Sequence, residues 1–153
     1  MGRWRDGTGT LRVLRDTPVE VPVDVRLDVP VDVPLDVRLG VPVDVPLEIA
    51  ASYRARSRGL LGRDGLTGAI LLTPASGVHT FRMRFAIDVA YLDRRLTVLA
   101  VTTLRPGRLG LPRPRARHVL EAEAGAMERW GLRRGTRVAL DPGPSSAQPP
   151  YVR

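Results

Sequence analysis

Apolar and polar residues alternate with a period of two through residues 17–48, which is the pattern of a β-strand, and the hydrophobic patterns in the rest of the chain are shorter and mostly strand-like. Two short helices lie among these strand-like segments: one is capped by Ser52 and ends at Gly59, and the other covers Ala124–Leu132. These assignments predict a mainly β fold. The predicted strands are Thr10–Leu14, Pro46–Ala51, Ala69–Leu72, Val78–Phe81, Ile87–Leu92, Leu96–Thr103, Val119–Glu123 and Arg137–Leu140.

Residues 17–48 form a low-complexity repeat of four-residue units such as VPVD and VPLD. Val or Leu occupies every odd position from Val19 to Val45, which is a strand-like period. Proline recurs through the repeat and removes backbone donors, so we exclude a central strand and expect an edge strand or an extended arm. Calcium binding by the repeated aspartates is disfavoured, because an extended proline-rich segment cannot converge its carboxylates on one ion.

The length of 153 residues predicts one domain with a core of its own. We divide the chain into an N-terminal strand region (1–16), the repeat insert (17–44), a β-rich body (45–141) and a disordered tail (142–153).

Composition excludes several classes of protein. The chain has no cysteine, which rules out disulfides, a thiolate nucleophile and a cysteine-ligated zinc. It has no signal-peptide core and no run approaching the roughly 20 apolar residues of a membrane span. We therefore expect a soluble, cytoplasmic protein without a membrane partner.

The formal net charge of +8 is unevenly distributed. The repeat holds seven acids and two arginines, a net charge of −5, so the rest of the chain carries +13. Such a body attracts phosphates, nucleic acid or an acidic partner. However, all 24 basic residues are arginine and the chain has no Lys or Asn, which is typical of a GC-rich coding sequence. The charge alone identifies no partner.

The loop 105–117 carries five arginines but no aromatic residue on which a base could stack. Its prolines exclude a recognition helix. Nucleic acid is therefore not an expected partner, beyond weak and salt-sensitive contact with the phosphate backbone.

Four sequence blocks stand out: Arg56–Arg63, Gly68–Leu72, Val78–Asp93, and Val119-Leu120-Glu121 with Gly125, Gly131 and Gly135. In order and spacing, these blocks together resemble the bacterial and archaeal family called domain of unknown function 192. The resemblance covers about residues 45–141. It implies a compact antiparallel β-sandwich or barrel with one or two short helices, and no established activity. Two departures are His79–Arg84, where the family usually has a Trp-Met-Lys-Asn-Thr-like run, and Ala86, where it usually has Pro.

The segment His79–Asp93 combines polar groups with an apolar setting. Asp88 is a carboxylate among apolar neighbours and needs a partner if it is buried. It is either a general base or ligand-orienting group, or a structural residue that fixes the strand end through a salt bridge, for example to Arg82, Arg84 or Arg63, or through hydrogen bonds with the backbone. Glu121, in the Val-Leu-Glu motif, is expected on an exposed strand face paired with arginines.

The favoured hypothesis is a non-enzymatic binding or accessory module for a small anionic molecule or an acidic protein segment. Its candidate ligand-binding residues are His79, Arg82, Arg84, Asp88, Arg63 and Glu121. The alternatives are an enzyme that pairs Asp88 or Glu121 with a histidine, and weak binding of nucleic acid. A metal site built from His79 and His118 with a carboxylate is disfavoured, because the ligands are widely spaced. We expect no cofactor, assign no catalytic residue and leave the oligomeric state open.

Overall fold

The computed structural model describes residues 4–14 and 42–143. Within these residues the chain forms seven strands and two short helices. The strands are β1 (Gly7–Leu14), β2 (Val43–Ala50), β3 (Ala69–Leu72), β4 (Ile87–Leu92), β5 (Val98–Leu104), β6 (His118–Glu123) and β7 (Arg137–Pro142). The helices are α1 (Tyr53–Arg58) and α2 (Ala126–Arg129).

The strands form one sheet in the order β5-β4-β6-β3-β2-β1-β7. Neighbours pair antiparallel, except β2 and β3, which run parallel. The sheet curls until its two edge strands approach each other, where Thr97 bridges Arg137 and the Val98 amide donates to the Thr136 carbonyl at 2.8 Å. The mainly β prediction is confirmed, in the form of a curled half-barrel.

The central strands are covered on both faces. Alternate residues of β4 belong to two apolar clusters: Ala90 and Leu92 to the first, and Ile87, Val89 and Tyr91 to the second. All six residues of β4 are buried. A strand that is covered on both faces becomes almost continuously apolar, so a charged residue within it demands an explanation.

The first helix begins and ends where its capping residues predict. The Ser52 hydroxyl accepts a hydrogen bond from the Ala55 amide at 3.1 Å, and Gly59 ends the helix with a φ of +43°. Asp6 also accepts hydrogen bonds from the Ala51 and Ser52 amides, at 2.6 and 2.7 Å. The chain before β1 is thereby tied to the start of α1.

The predicted strand Val78–Phe81 is wrong. His79 makes only an isolated bridge to Leu109. The buried Thr80 hydroxyl donates to the Arg105 carbonyl at 2.6 Å and accepts from the Arg108 amide at 2.9 Å. This segment is therefore held by the arginine-rich loop and does not join the sheet.

The second helix is shorter than predicted because two glycines with positive φ flank it. Gly125 (φ +88°) precedes it and Gly131 (φ +71°) follows it. Only four residues remain helical, and Met127 among them is fully buried.

The end of the repeat corrects a further expectation. Its last residues lie in β2, between β1 and β3, although the repeat was predicted to avoid a central strand. Pro46 is tolerated because pairing with β3 begins only at Leu47, so that at Pro46 the strand has β1 as its one neighbour. The rest of the insert, residues 17–41, and the predicted disordered tail beyond Gly143 lie outside the described residues. Pro142 itself belongs to β7.

Candidate functional site: a buried carboxyl at a cavity

Glu121 lies in the middle of β6, opposite Ile70 of β3 and Val89 of β4. Its side chain is 3% exposed. The expectation of an exposed strand face is therefore wrong, because β6 is flanked on both sides and covered on both faces. Glu121 projects on the face of Val89, which belongs to the second apolar cluster.

No residue in the described part of the chain donates a hydrogen bond to the Glu121 carboxyl or forms an ion pair with it. Burial raises its pKa to about 7, because the charged form loses hydration and no donor compensates. A buried carboxyl without a partner is costly to the fold, which points to a role in binding or chemistry.

Glu121 faces a cavity of about 190 Å³ between α1, the end of β3 and the segment that precedes β4. The apolar part of the walls includes Leu60, Leu72, Val78 and Met83. The polar side chains of the lining, besides Glu121, are Arg56, Ser57, Arg58 and His79. The cavity thus combines an apolar body with one buried acid and basic groups from α1.

The two arginines of α1 differ in how they are held. Arg56 Nη1 donates to the Ala51 carbonyl at 2.6 Å and more weakly to the Thr73 carbonyl at 3.4 Å. Arg58 is exposed and has no carboxylate partner among the described residues. Arg56 therefore forms a fixed part of the wall, and Arg58 is free to meet a ligand.

His79 is exposed and stacks on Phe81, with ring centroids 4.9 Å apart and planes at 19°. Phe81 is itself 45% exposed. The imidazole therefore belongs to the cavity lining but is reached from solvent.

A second polar group lies diagonally from Glu121 on the same sheet face. The Tyr91 hydroxyl is buried without a hydrogen-bond partner among the described residues. Burial raises the pKa of Tyr91, although the Arg113 guanidinium, 5.5 Å from its ring centroid, acts in the opposite direction. This face of the sheet therefore buries two polar side chains, Glu121 and Tyr91, that no group in the described part of the chain satisfies.

The Asp88 carboxylate, in contrast to that of Glu121, accepts hydrogen bonds from the protein on both of its oxygens. Its Oδ1 accepts from the Thr103 hydroxyl at 2.7 Å, and its Oδ2 accepts from the Gly125 and Met127 amides at 2.9 and 3.2 Å. These donors come from β5 and from the start of α2, so Asp88 joins the sheet to the helix. This arrangement supports the structural interpretation of Asp88 in its backbone-bonded form, and none of the three candidate arginines is a partner.

Those arginines bind other carboxylates or none. Arg63 makes two hydrogen bonds to Glu48, at 2.7 and 2.8 Å, and these hydrogen bonds lower the pKa of Glu48. Arg84 pairs with Asp64 at 2.9 Å on the surface. Arg82 is exposed in a turn, with a φ of +61°. Of the six candidates, the structure brings His79 and Glu121 to one cavity and leaves the other four outside its lining.

His118, the other histidine, is buried and does not line the Glu121 cavity. Its Nδ1 lies 2.7 Å from the Thr73 hydroxyl and its ring packs edge-on against Trp4. Burial lowers its pKa, since the charged imidazole loses hydration. Across residues 4–14 and 42–143 no group of three or more His, Asp or Glu side chains is arranged to hold a metal ion.

Sequence reasoning did not select Arg56, Arg58, Leu60 or Met83, which all line the cavity. A signal was present, since all four fall in the blocks that resemble the family. Their convergence depends on α1 and the segment before β4 packing over the same strand, which no local pattern indicates.

The family model of domain of unknown function 192 (DUF192), described as "Uncharacterized ACR", matches residues 37–140. This chain belongs to that family. Among curated relatives, the UPF0127 protein PH1112 of Pyrococcus horikoshii is 34% identical over 85 residues, covering 52% of this chain and 74% of the relative. The UPF0127 protein PYRAB11210 of Pyrococcus abyssi is 33% identical over 95 residues, covering 59% and 81%.

Two solved structures share the fold of this family member. One, from Sinorhizobium meliloti, is described as a "putative transcription regulator" and has a TM-score of 0.65, with 16% identity over 91% of this chain and 98% of that one. The other, of unknown function, from Novosphingobium aromaticivorans, has a TM-score of 0.63, with 15% identity over 85% and 83%. At these identities the likeness concerns the fold.

In the described part of the chain, no helix has the length and hydropathy needed to cross a membrane.

Proposed function

We propose that this DUF192 protein is a binding module for a small molecule that is held in the cavity over Glu121. The observation that supports this most is the Glu121 carboxyl itself, which is 3% exposed, has no hydrogen-bond or ion-pair partner among residues 4–14 and 42–143, and faces a cavity. A polar group buried in an apolar setting is normally hydrogen-bonded, and a ligand that brings a donor would supply the missing bond.

The lining suggests the chemistry of the ligand. Its apolar part packs between Leu60 and Met83, and a hydrogen-bond donor meets Glu121. An anionic group, such as a carboxylate, meets Arg58 at the outer end, since a guanidinium pairs well with planar anions. A volume of about 190 Å³ is below the roughly 300–1,000 Å³ typical of drug-sized ligands, so only a small group enters fully.

An acid–base enzyme is the second candidate, and one observation favours it. Glu121 has a pKa of about 7 and shares its cavity with His79. A carboxyl that titrates near neutral pH is suited to donate and accept a proton in turn. Binding requires only that Glu121 meets a donor, whereas catalysis requires that it changes its protonation state during turnover.

The experiment is a thermal-shift screen of the full chain with small carboxylic acids and amino acids, followed by calorimetric titration of each compound that stabilises it. Glu121→Gln is expected to weaken binding at least about tenfold, because a charge-assisted hydrogen bond is lost. Glu123→Gln is the matched control, since Glu123 lies on the same strand but is exposed. It is expected to leave the affinity unchanged.

A second pair of variants tests the anionic group. Arg58→Gln is expected to weaken the binding of carboxylates, whereas Arg54→Gln, one turn earlier on α1 and outside the cavity lining, is not. Equal effects of all four variants, or no stabilising compound in a protein that melts cooperatively, would contradict the proposal. Turnover of a bound compound that Glu121→Gln abolishes without loss of affinity would favour the enzyme.

A further inference from the structure

A second depression, of about 350 Å³, lies at the other end of β4 from Asp88 and shares no residue with the Glu121 cavity. Two short segments line it: the turn after β4, with Asp93, Arg94 and Arg95, and the approach to β6, with Arg115 and Arg117. These segments are adjacent because Leu92 of β4 pairs with His118 of β6.

The backbone of both segments is held in place. Asp93 Oδ1 accepts from the amides of Arg95 at 2.8 Å and Thr97 at 3.0 Å, which closes the turn. The backbone amide of Arg117 donates to the Leu92 carbonyl at 2.8 Å, and the Nη1 of the Arg117 side chain donates to the Pro114 carbonyl at 3.2 Å. The arginines therefore project from an ordered frame, which reduces the entropic cost of ordering them around a ligand.

The described residues do not balance the positive charge of the depression. Four guanidinium groups face one carboxylate, and that carboxylate already accepts two backbone hydrogen bonds. Across the described residues, none of the four lies within ion-pair distance of a carboxylate, whereas Arg12, Arg63 and Arg84 each do. Four like charges around one hollow repel each other, and an anion with several charges relieves that repulsion.

We infer that this depression is a binding site for a multivalent phosphate group, such as the diphosphate of a small molecule. Guanidinium groups bind phosphate oxygens through paired hydrogen bonds and keep their charge at any physiological pH. Two arginines on each side place donors on both flanks of one anion. A volume of about 350 Å³ accommodates a diphosphate. This inference is independent of the function proposed for the Glu121 cavity.

Calorimetric titration of the full chain with inorganic pyrophosphate at low salt tests the inference. One saturable site is expected, with orthophosphate at least about tenfold weaker because it carries fewer charges. The double variant Arg94→Gln with Arg115→Gln is expected to weaken pyrophosphate binding at least about tenfold. The control, Arg105→Gln with Arg129→Gln, removes the same net charge from exposed arginines outside the depression and is expected to change affinity less than about twofold.

Thermal melting verifies that each variant folds, and Arg95→Gln replaces the double variant if that one does not. A short DNA duplex distinguishes the source of the phosphate: binding that the depression variant abolishes and the control spares assigns the site to backbone phosphates of nucleic acid. Equal losses of pyrophosphate affinity in both double variants, or no saturable binding by the wild type, would overturn the inference, since only diffuse surface charge would remain.

Discussion

Two buried carboxylates on adjacent strands of this protein have opposite surroundings. Asp88 on β4 faces the first apolar cluster and accepts three hydrogen bonds, from one hydroxyl and two amides. Glu121 on β6 faces the second cluster and accepts none from the described residues. They lie one residue apart in register, since Asp88 pairs with Ala122 and Glu121 pairs with Val89.

The difference separates a structural role from a functional one. A carboxylate with protein donors from β5 and α2 on both of its oxygens links elements of the fold and does not depend on a ligand for a hydrogen bond. A carboxyl at a cavity without donors lowers the stability of the protein whenever it is charged. Such a cost is typical of sites that are kept for binding or chemistry.

The largest expected effect follows from removing the satisfied carboxylate. Asp88→Ala leaves the Gly125 and Met127 amides without an acceptor, and each unsatisfied buried group costs about 1–3 kcal/mol. We expect the free energy of unfolding in urea to fall by about 4 kcal/mol. Thr103→Val, which removes a single hydrogen bond to Asp88, is the graded control, with a loss of about 1 kcal/mol. Similar small losses in both variants would mean that Asp88 does not hold α2 to the sheet.

Glu121→Gln, unlike Asp88→Ala, is expected to raise the free energy of unfolding, by an amount that depends on pH. The folded pKa of about 7 lies above the ordinary value of 4.5, so the folded state binds the proton more tightly than the unfolded state. The stability contributed by protonated Glu121 is therefore complete below about pH 4.5 and is lost as the pH rises through about 7. One pKa unit corresponds to about 1.4 kcal/mol, which gives a loss of about 3 kcal/mol.

Urea unfolding at several pH values between about 5 and 8 measures this effect as the stability of Glu121→Gln minus that of the wild type. The difference is expected to grow with pH and then to level off. A constant difference for Glu121→Gln would show that its carboxyl titrates normally and would remove the contrast with Asp88.

The smallest effect is expected for the carboxylate that is paired on the surface. Glu48 meets Arg63 through two hydrogen bonds, but both side chains are more than a third exposed. Solvent screens such pairs, so Glu48→Gln is expected to lower stability by at most about 0.5 kcal/mol. The loss should shrink further at high salt. A loss of stability as large as that of Asp88→Ala would show that solvent exposure does not determine how much each carboxylate contributes to the free energy of unfolding.

Local patterns predicted much of the fold. Ala69–Leu72 and Ile87–Leu92 were predicted with their observed bounds, and the helix between Ser52 and Gly59 was placed by its caps. Val78–Phe81 was predicted as a strand because alternation does not reveal whether a partner strand is available. Loop contacts at Thr80 replaced that partner.

For the candidate site, the sequence offered six residues and the structure placed two of them, His79 and Glu121, at one cavity. Arg63 and Arg84 have carboxylate partners, Glu48 and Asp64, whose proximity depends on how the loop before β3 folds over the sheet. Ion pairs between separate elements leave no periodic signal in the sequence.

By itself the sequence determined the mainly β class, most strand positions and the family to which this chain belongs, because side-chain alternation, caps and motif order are local properties. Tertiary structure decided which charges are buried and which are satisfied. Glu121 alternates with polar Glu123 as an exposed residue would, and only the covering of β6 on both faces removes it from water. Burial and hydrogen-bond satisfaction depend on what packs across the strand, and that information is spread over elements distant in the chain.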